Sequence, residues 1–283
     1  MRLSTFHLPA MAPERPTRCL PALLDVVEAA DHLGYDSAWI TEHHGGEHAV
    51  TNPLLVLVHL AARTANLRLG TAVLPAPLWP VDRLVEDLRT VDELLGDRLR
   101  IGIGRNATGR RPQPSDEEDF ASLVRSLEPI VGAGRLWEAA TTPDGVDRVI
   151  AGERNLLFSP PLRRLEAIAD AKSRLVGDGQ RELAVTAFVL VDDDPAAAIT
   201  PGRIFDQAEL AALAETGGPP TSDPSRIASR LIAGRPDVVR AWIDSLADAG
   251  VDELLLCTDL PGTSTSQAID TLAALAPVTS GRR

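Results

Sequence analysis

The segment Thr41-Glu42-His43-His44-Gly45-Gly46-Glu47-His48 packs three of the protein's six histidines, with two carboxylates, into a short stretch. Imidazoles that titrate near neutrality beside carboxylates suit proton transfer or the polarising of a bound reactant. The segment follows the apolar run Ser37 to Thr41, which reads as a strand. Side chains alternate along a strand, so Glu42 and His44 are expected to face one way and His43 the other. The same residue types would suit a divalent cation, but no second ligand cluster follows downstream, and no metal is expected. The competing reading is a polar strand end with solvated histidines.

Two further stretches point to an anion. Arg100-Ile101-Gly102-Ile103-Gly104-Arg105-Asn106 ends another apolar run. Its glycines would let a ligand approach the backbone, and Arg105 could hold a phosphate by paired hydrogen bonds. The stretch is not a dinucleotide fingerprint, because the third glycine and its spacing are missing. Glycines that merely fit a tight barrel are the alternative. Ala140-Thr141-Thr142-Pro143-Asp144 reads as a strand end, an N-cap at Thr142 and a proline at the first helical position, and the free amides of such a start attract anions. Asp144 weakens that attraction.

The elements that must position these residues alternate along the whole chain. Strands are expected at Leu3–Leu8, Ser37–Thr41, Leu67–Leu74, Leu99–Gly104, Leu136–Ala140, Asn155–Ser159, Leu183–Val191 and Val251–Thr258. Between them lie helical stripes such as Phe120, Leu123, Val124, Leu127, Ile130 and Val131. Residues 194 to 225, rich in Pro and Gly, read as an excursion with one helix. Eight continuous apolar strands separated by helices imply a parallel sheet, and the count of eight implies a closed (β/α)8 TIM barrel in a single domain, residues 1–283. In such barrels the site lies where strands end, which is where the three stretches above fall.

Composition narrows the partners. With 28 Lys and Arg against 40 Asp and Glu, the formal charge is −12, which repels a phosphate backbone, so nucleic acid is not expected. Two distant cysteines, Cys19 and Cys257, offer no disulfide framework. No apolar run reaches membrane-spanning length and the N-terminus lacks a signal-peptide core, so the expected location is the cytoplasm.

In order and residue type, these pieces resemble the bacterial luciferase-like monooxygenase family. The resemblance is carried by Ala29-Ala30-Asp31-His32-Leu33-Gly34-Tyr35-Asp36-Ser37-Ala38-Trp39-Ile40-Thr41-Glu42-His43-His44. Asn52-Pro53, Leu67-Arg68-Leu69-Gly70-Thr71-Ala72-Val73, Glu86-Asp87 and Arg98 to Arg105 continue it, and residues 228–258 resemble the family's closing helix and strand. The resemblance implies an oxidoreductase with reduced FMN, or in one branch F420, at the barrel mouth. It implies O2 and a small organic substrate, a separate flavin reductase and a homodimer.

It further implies His43 as the proton-handling histidine beside the flavin, with Glu42 and His44 orienting or lining the site. Ala72 would lie in a strand-three bulge under the ring, and Arg105, Asn106, Ala140, Thr141 and Thr142 would lie around the phosphate. Three departures stand out. Asn106 replaces a common glycine, and the loop from Gly70 to Pro80 is about one residue short. Only Gly132-Ala133-Gly134 links the fourth helix to strand five, a shortened region before that strand where relatives carry a longer pocket wall. F420-dependent hydride transfer on the same scaffold is one alternative, and the thinner shielding raises another, a degenerate flavin-binding barrel that serves as a partner.

Overall fold

A computed structural model of the chain describes residues 1–8, 19–44, 50–105, 114–162, 164–175, 181–192, 230–259 and 263–277. Nine strands are defined: β1 (Arg2–His7), β2 (Ser37–Ile40), β3 (Arg68–Pro75), β4 (Leu99–Gly104), β5 (Leu136–Ala140), β6 (Asn155–Phe158), β7 (Leu183–Val191), β8 (Leu231–Gly234) and β9 (Glu253–Cys257). The helices among the described residues are α1 (Cys19–His32), α2 (Pro53–Ala61), α3 (Val81–Leu95), α4 (Pro114–Val131), α5 (Pro143–Ala151), α6 (Leu165–Leu175), α7 (Pro236–Asp248) and α8 (Thr265–Leu275).

Every pairing is parallel. β1 to β7 join in sequence, β7 joins β9, and β9 returns to β1, with Arg2 opposite Glu253 and Thr5 opposite Leu256. That closes an eight-stranded barrel with helices between strands, as the apolar alternation predicts. All eight expected strands are present within one or two residues of their expected ends. The expected excursion at 194 to 225 lies outside the described residues.

β8 is the correction. The stretch Leu231–Gly234 pairs with the upper half of β7, Phe188 opposite Leu231 and Val191 opposite Gly234, as a ninth strand outside the closed ring. Four residues ending in glycine carry too little pattern to announce a strand.

The alternation of each strand divides two cores. Leu69, Leu99, Ile101, Ile103, Leu136 and Leu254 point outward into the layer shared with Leu88, Leu127, Val149 and Leu272 of the helices. Trp39, Trp137, Leu157, Ala184 and Leu255 point inward and fill the barrel, the two indoles meeting edge to face at 5.6 Å and 82°. Each fully buried large apolar side chain contributes about 1.5–3 kcal/mol relative to exposure. Helix starts are built locally: Asn52 and Thr142 cap α2 and α5 through side-chain bonds to the amides of Leu55 and Gly145, each with proline next, and Ser264 and Gln267 form a capping box on α8.

The N-terminal end of the barrel is sealed by charge. Glu253 Oε1 accepts from Ser4 Oγ at 2.7 Å, Ser37 Oγ at 2.5 Å and Trp39 Nε1 at 2.9 Å, while Arg2 Nη2 donates to its other oxygen at 3.2 Å. Burial alone would raise this carboxyl, but those hydrogen bonds and the Arg2 charge outweigh it and hold it below its usual range.

Candidate active site

At the opposite, C-terminal end, β2 runs into Thr41-Glu42-His43-His44. Glu42 is buried, and its two oxygens are divided: His44 Nε2 lies 2.5 Å from Oε1, and Trp79 Nε1 donates to Oε2 at 2.8 Å. Trp79 packs against the outer core, so Glu42 and His44 share the outer side, as alternation predicts. Burial pushes the Glu42 carboxyl above its usual range, against the hydrogen bonds of His44 and Trp79 that pull it back. The same alternation, carried on from inward-facing Trp39, predicts the barrel side for His43. His43 is half-buried, and its amide donates to Val50 O at 3.0 Å, which holds the segment as it leaves the strand. Gly45 to His48 lie outside the described residues.

The neighbouring strand carries an irregularity. The pairing of β3 with β4 shifts between Thr71 and Leu74, and the Ala72–Val73 peptide is cis. Two successive residues, Ala72 and Val73, therefore both reach the inner cluster, where regular alternation would send one outward. The bulge is present despite the short loop that follows it. The glycines beside it are packing devices: a Cβ on Gly104 would lie 2.6 Å from Val73, and one on Gly102 only 2.2 Å from the Thr71 carbonyl oxygen. The tight-barrel reading of the β4 glycines is the one the structure bears out.

The anion stretch divides. Thr142 caps α5 with its hydroxyl on the Gly145 amide at 3.2 Å, and Ala140 and Thr141 lead into that helix start. Arg105 folds away from the mouth: its Nε donates to Glu138 Oε1 at 2.6 Å, and its guanidinium carbon lies 4.0 Å over the Phe120 ring of α4. Arg154 Nε donates to the other Glu138 oxygen at 2.5 Å. Asn106 lies outside the described residues.

Sequence reasoning missed four participants: Trp79, which anchors Glu42; Glu138; and the pair of His7 and Asp259, Nδ1 to Oδ2 at 3.1 Å, at the ends of β1 and β9. Trp79 lies 37 residues from Glu42 in sequence and Glu138 lies 33 from Arg105, so no local pattern links them. Around the same rim Phe6, Leu8, Phe188, Leu190 and Leu231 are half-buried against Cys257, an apolar lip raised by β8. Among the described residues no group of three or more His, Cys, Asp or Glu could hold a metal ion, and no helix is long and apolar enough to cross a membrane.

The closed parallel barrel thus carries a polar strand-two end, a strand-three bulge and an apolar rim at its C-terminal mouth. Residues 1–113 match the family described as luciferase-like monooxygenase. The oxygenase component of a flavin-dependent trigonelline monooxygenase from Acinetobacter baylyi is 32% identical over 110 residues, 38% of this chain and 31% of that protein. The chain thus spans less than a third of the length of that curated relative.

Among solved structures, the oxygenating constituent of 3,6-diketocamphane monooxygenase from Pseudomonas putida is a type II Baeyer-Villiger monooxygenase in complex with FMN. It superposes with a TM-score of 0.75 at 15% identity, covering 99% of this chain and 98% of that one. An F420-dependent secondary alcohol dehydrogenase in complex with an F420-acetone adduct gives 0.73 at 13%, covering 98% and 99%. At such identities the likeness is one of fold.

Proposed function

We propose that the protein is a flavin-dependent oxidoreductase that uses reduced FMN and O2 to oxygenate a small organic substrate at the C-terminal mouth of the barrel. The observation that carries the reading is the Ala72–Val73 bulge turned into the inner cluster at that mouth, beside the β2 end where alternation expects His43 on the barrel side. The mouth fits a flavin ring. Its lining is apolar: Phe6, Ala72 and Val73 reach the inner cluster, and Leu190 packs the rim beside Cys257. At the phosphate end the α5 start and Arg105 are at hand, although Arg105 must then give up Glu138.

Ala72 and Val73 would support the ring, and Ala140, Thr141, Thr142, Arg105 and Asn106 would hold the phosphate. When bound, the cofactor supplies the redox and oxygen chemistry. His43 exchanges a proton on the barrel side. Glu42, clamped between Trp79 and His44, fixes the backbone from which His43 projects. The apolar lip excludes water from the reacting centre. The relative named as an oxygenase component supports a separate reductase as partner. Leu55 on α2 and Leu94 on α3, 70% and 60% exposed, support a homodimer through those helices.

Fluorescence titration of the purified protein with FMN, reduced FMN and F420, beside Arg105→Ala, tests the reading. Micromolar FMN binding weakened about tenfold by the substitution is the expected result, tenfold being about 1.4 kcal/mol. Preference for F420, whose enzymes share this fold, would move the chemistry to hydride transfer. Binding of neither would leave a degenerate barrel.

A further inference from the structure

Glu138 sits where no simple barrel needs a carboxylate. It points outward from the middle of β5, its side chain is 1% exposed, and it lies opposite Ile103 in the β4 register. Two guanidiniums clasp it from opposite ends of the strand. Arg105 is rooted two residues beyond Ile103, about 7 Å nearer the mouth at a strand rise of roughly 3.3 Å per residue, and folds back to reach it. Arg154 precedes β6, whose Asn155 pairs with Trp137, and so reaches Glu138 from the N-terminal side. The Arg105 and Arg154 side chains are 19% and 16% exposed. Phe120 covers the Arg105 guanidinium with its ring face.

The backbone of Arg105 therefore stands at the height of the mouth while its charge is stored below it. A phosphate near the α5 start and the Glu138 carboxylate compete for the same group, since the folded-back guanidinium whose Nε donates to Glu138 Oε1 cannot at once reach up to the mouth. We infer that Glu138 is a positioning residue that holds Arg105 in reserve beneath the mouth. Capture of a phosphate-bearing cofactor is then an exchange in which Arg105 passes from Glu138 to the phosphate while Arg154 keeps Glu138 neutralised. A carboxylate buried this deeply is not left bare when Arg105 departs, because breaking both contacts would strand a charge at low dielectric. Arg154, which stands away from the mouth, thereby sets the affinity for phosphate at a distance. The inference rests on the proposed flavin reading and on Arg105 as the phosphate group within it.

The test is the ratio of affinities for FMN and riboflavin, which share the ring and differ by the phosphate, measured by flavin fluorescence on the whole chain. Glu138→Gln weakens the reserve and is expected to raise the preference for FMN about fivefold or more, and Arg154→Met, which leaves Glu138 to Arg105, to lower it by a similar factor. Arg154→Lys should restore part of the loss. Riboflavin affinity should stay constant throughout, which a merely loosened fold would not deliver. If Glu138→Gln does not fold, Arg154→Met decides. An unchanged ratio in the folded variants, or a fall with Glu138→Gln, overturns the exchange even where Arg105→Ala shows that the phosphate is bound there. A wild-type protein that does not prefer FMN to riboflavin, or an Arg105→Ala that leaves the ratio alone, overturns the phosphate reading itself and the exchange with it.

Discussion

The two ends of the barrel treat charge in opposite ways. At the N-terminal end Glu253 is enclosed by Ser4, Ser37, Trp39 and Arg2, and Arg2 also bonds both oxygens of Glu182 at 2.9 Å. Asp36 joins the cluster through Arg2 Nε at 3.4 Å and also accepts from Arg68 at 2.5 Å. At the C-terminal end the polar groups are incompletely enclosed: His44 is 43% exposed on its side chain, His43 is half-buried, and the apolar rim is half-covered. A buried network locks strands together, whereas a partly exposed one is accessible to a ligand. Stability is thus concentrated at one end and reactivity at the other, the division that parallel barrels impose because loops at strand C-termini are free to vary.

This contrast breaks most readily at Glu253. Glu253→Ala should cost about 3–5 kcal/mol in urea unfolding at pH 7, since it leaves Arg2 and three hydroxyl or indole donors without their acceptor. Flavin affinity, read at the far end, should not move. The pH dependence has a definite sign. The folded carboxyl is held below its ordinary value, so its stabilisation is present above the unfolded carboxylate range, near about pH 4.3, and is lost as pH falls through the folded value. The gap between wild type and variant should therefore narrow in acid, and a gap that widens there would refute the assignment.

At the mouth the expectation is reversed. His43→Ala should lower turnover with a competent substrate by roughly 10²-fold or more while shifting the unfolding midpoint little. Full turnover in that variant would move proton handling to another group, with His7 beside Asp259 the next to test. The smallest effect belongs to the α5 start. Thr142→Ala removes the cap on Gly145 and should cost about 1 kcal/mol, with FMN affinity falling more than riboflavin affinity if the helix start also serves the phosphate.

How far the sequence announced this molecule depends on range. The eight barrel strands were legible because most are short apolar runs that alternate with helical stripes, a signal contained within ten residues. The shared outward side of Glu42 and His44 followed from period-two alternation alone. The β3 bulge was legible only through the family resemblance, because in Gly70-Thr71-Ala72-Val73 itself nothing marks a shift that exists only relative to β4. Glu138 was hidden within Leu136-Trp137-Glu138-Ala139-Ala140, where one carboxylate in an apolar strand looks like a surface position. Its meaning comes from Arg105 and Arg154, 33 and 16 residues away. Arg105 itself was read as a phosphate group from its place at a strand end, and only the structure shows the carboxylate that already holds it.

One feature of the wall has a wider bearing. β7 pairs with β9 along one edge as far as Phe188, while its other edge pairs with β6 over Leu183–Val185 and with β8 over Phe188–Val191, so that second edge changes partner just below Phe188. Below it the hydrogen bonds belong to the closed ring; above it they belong to an annex. Wall height and ring closure are therefore separately inherited traits. A lineage could lengthen, trim or exchange everything grafted above Phe188, and so remodel what the mouth admits, without resetting the register that shuts the barrel.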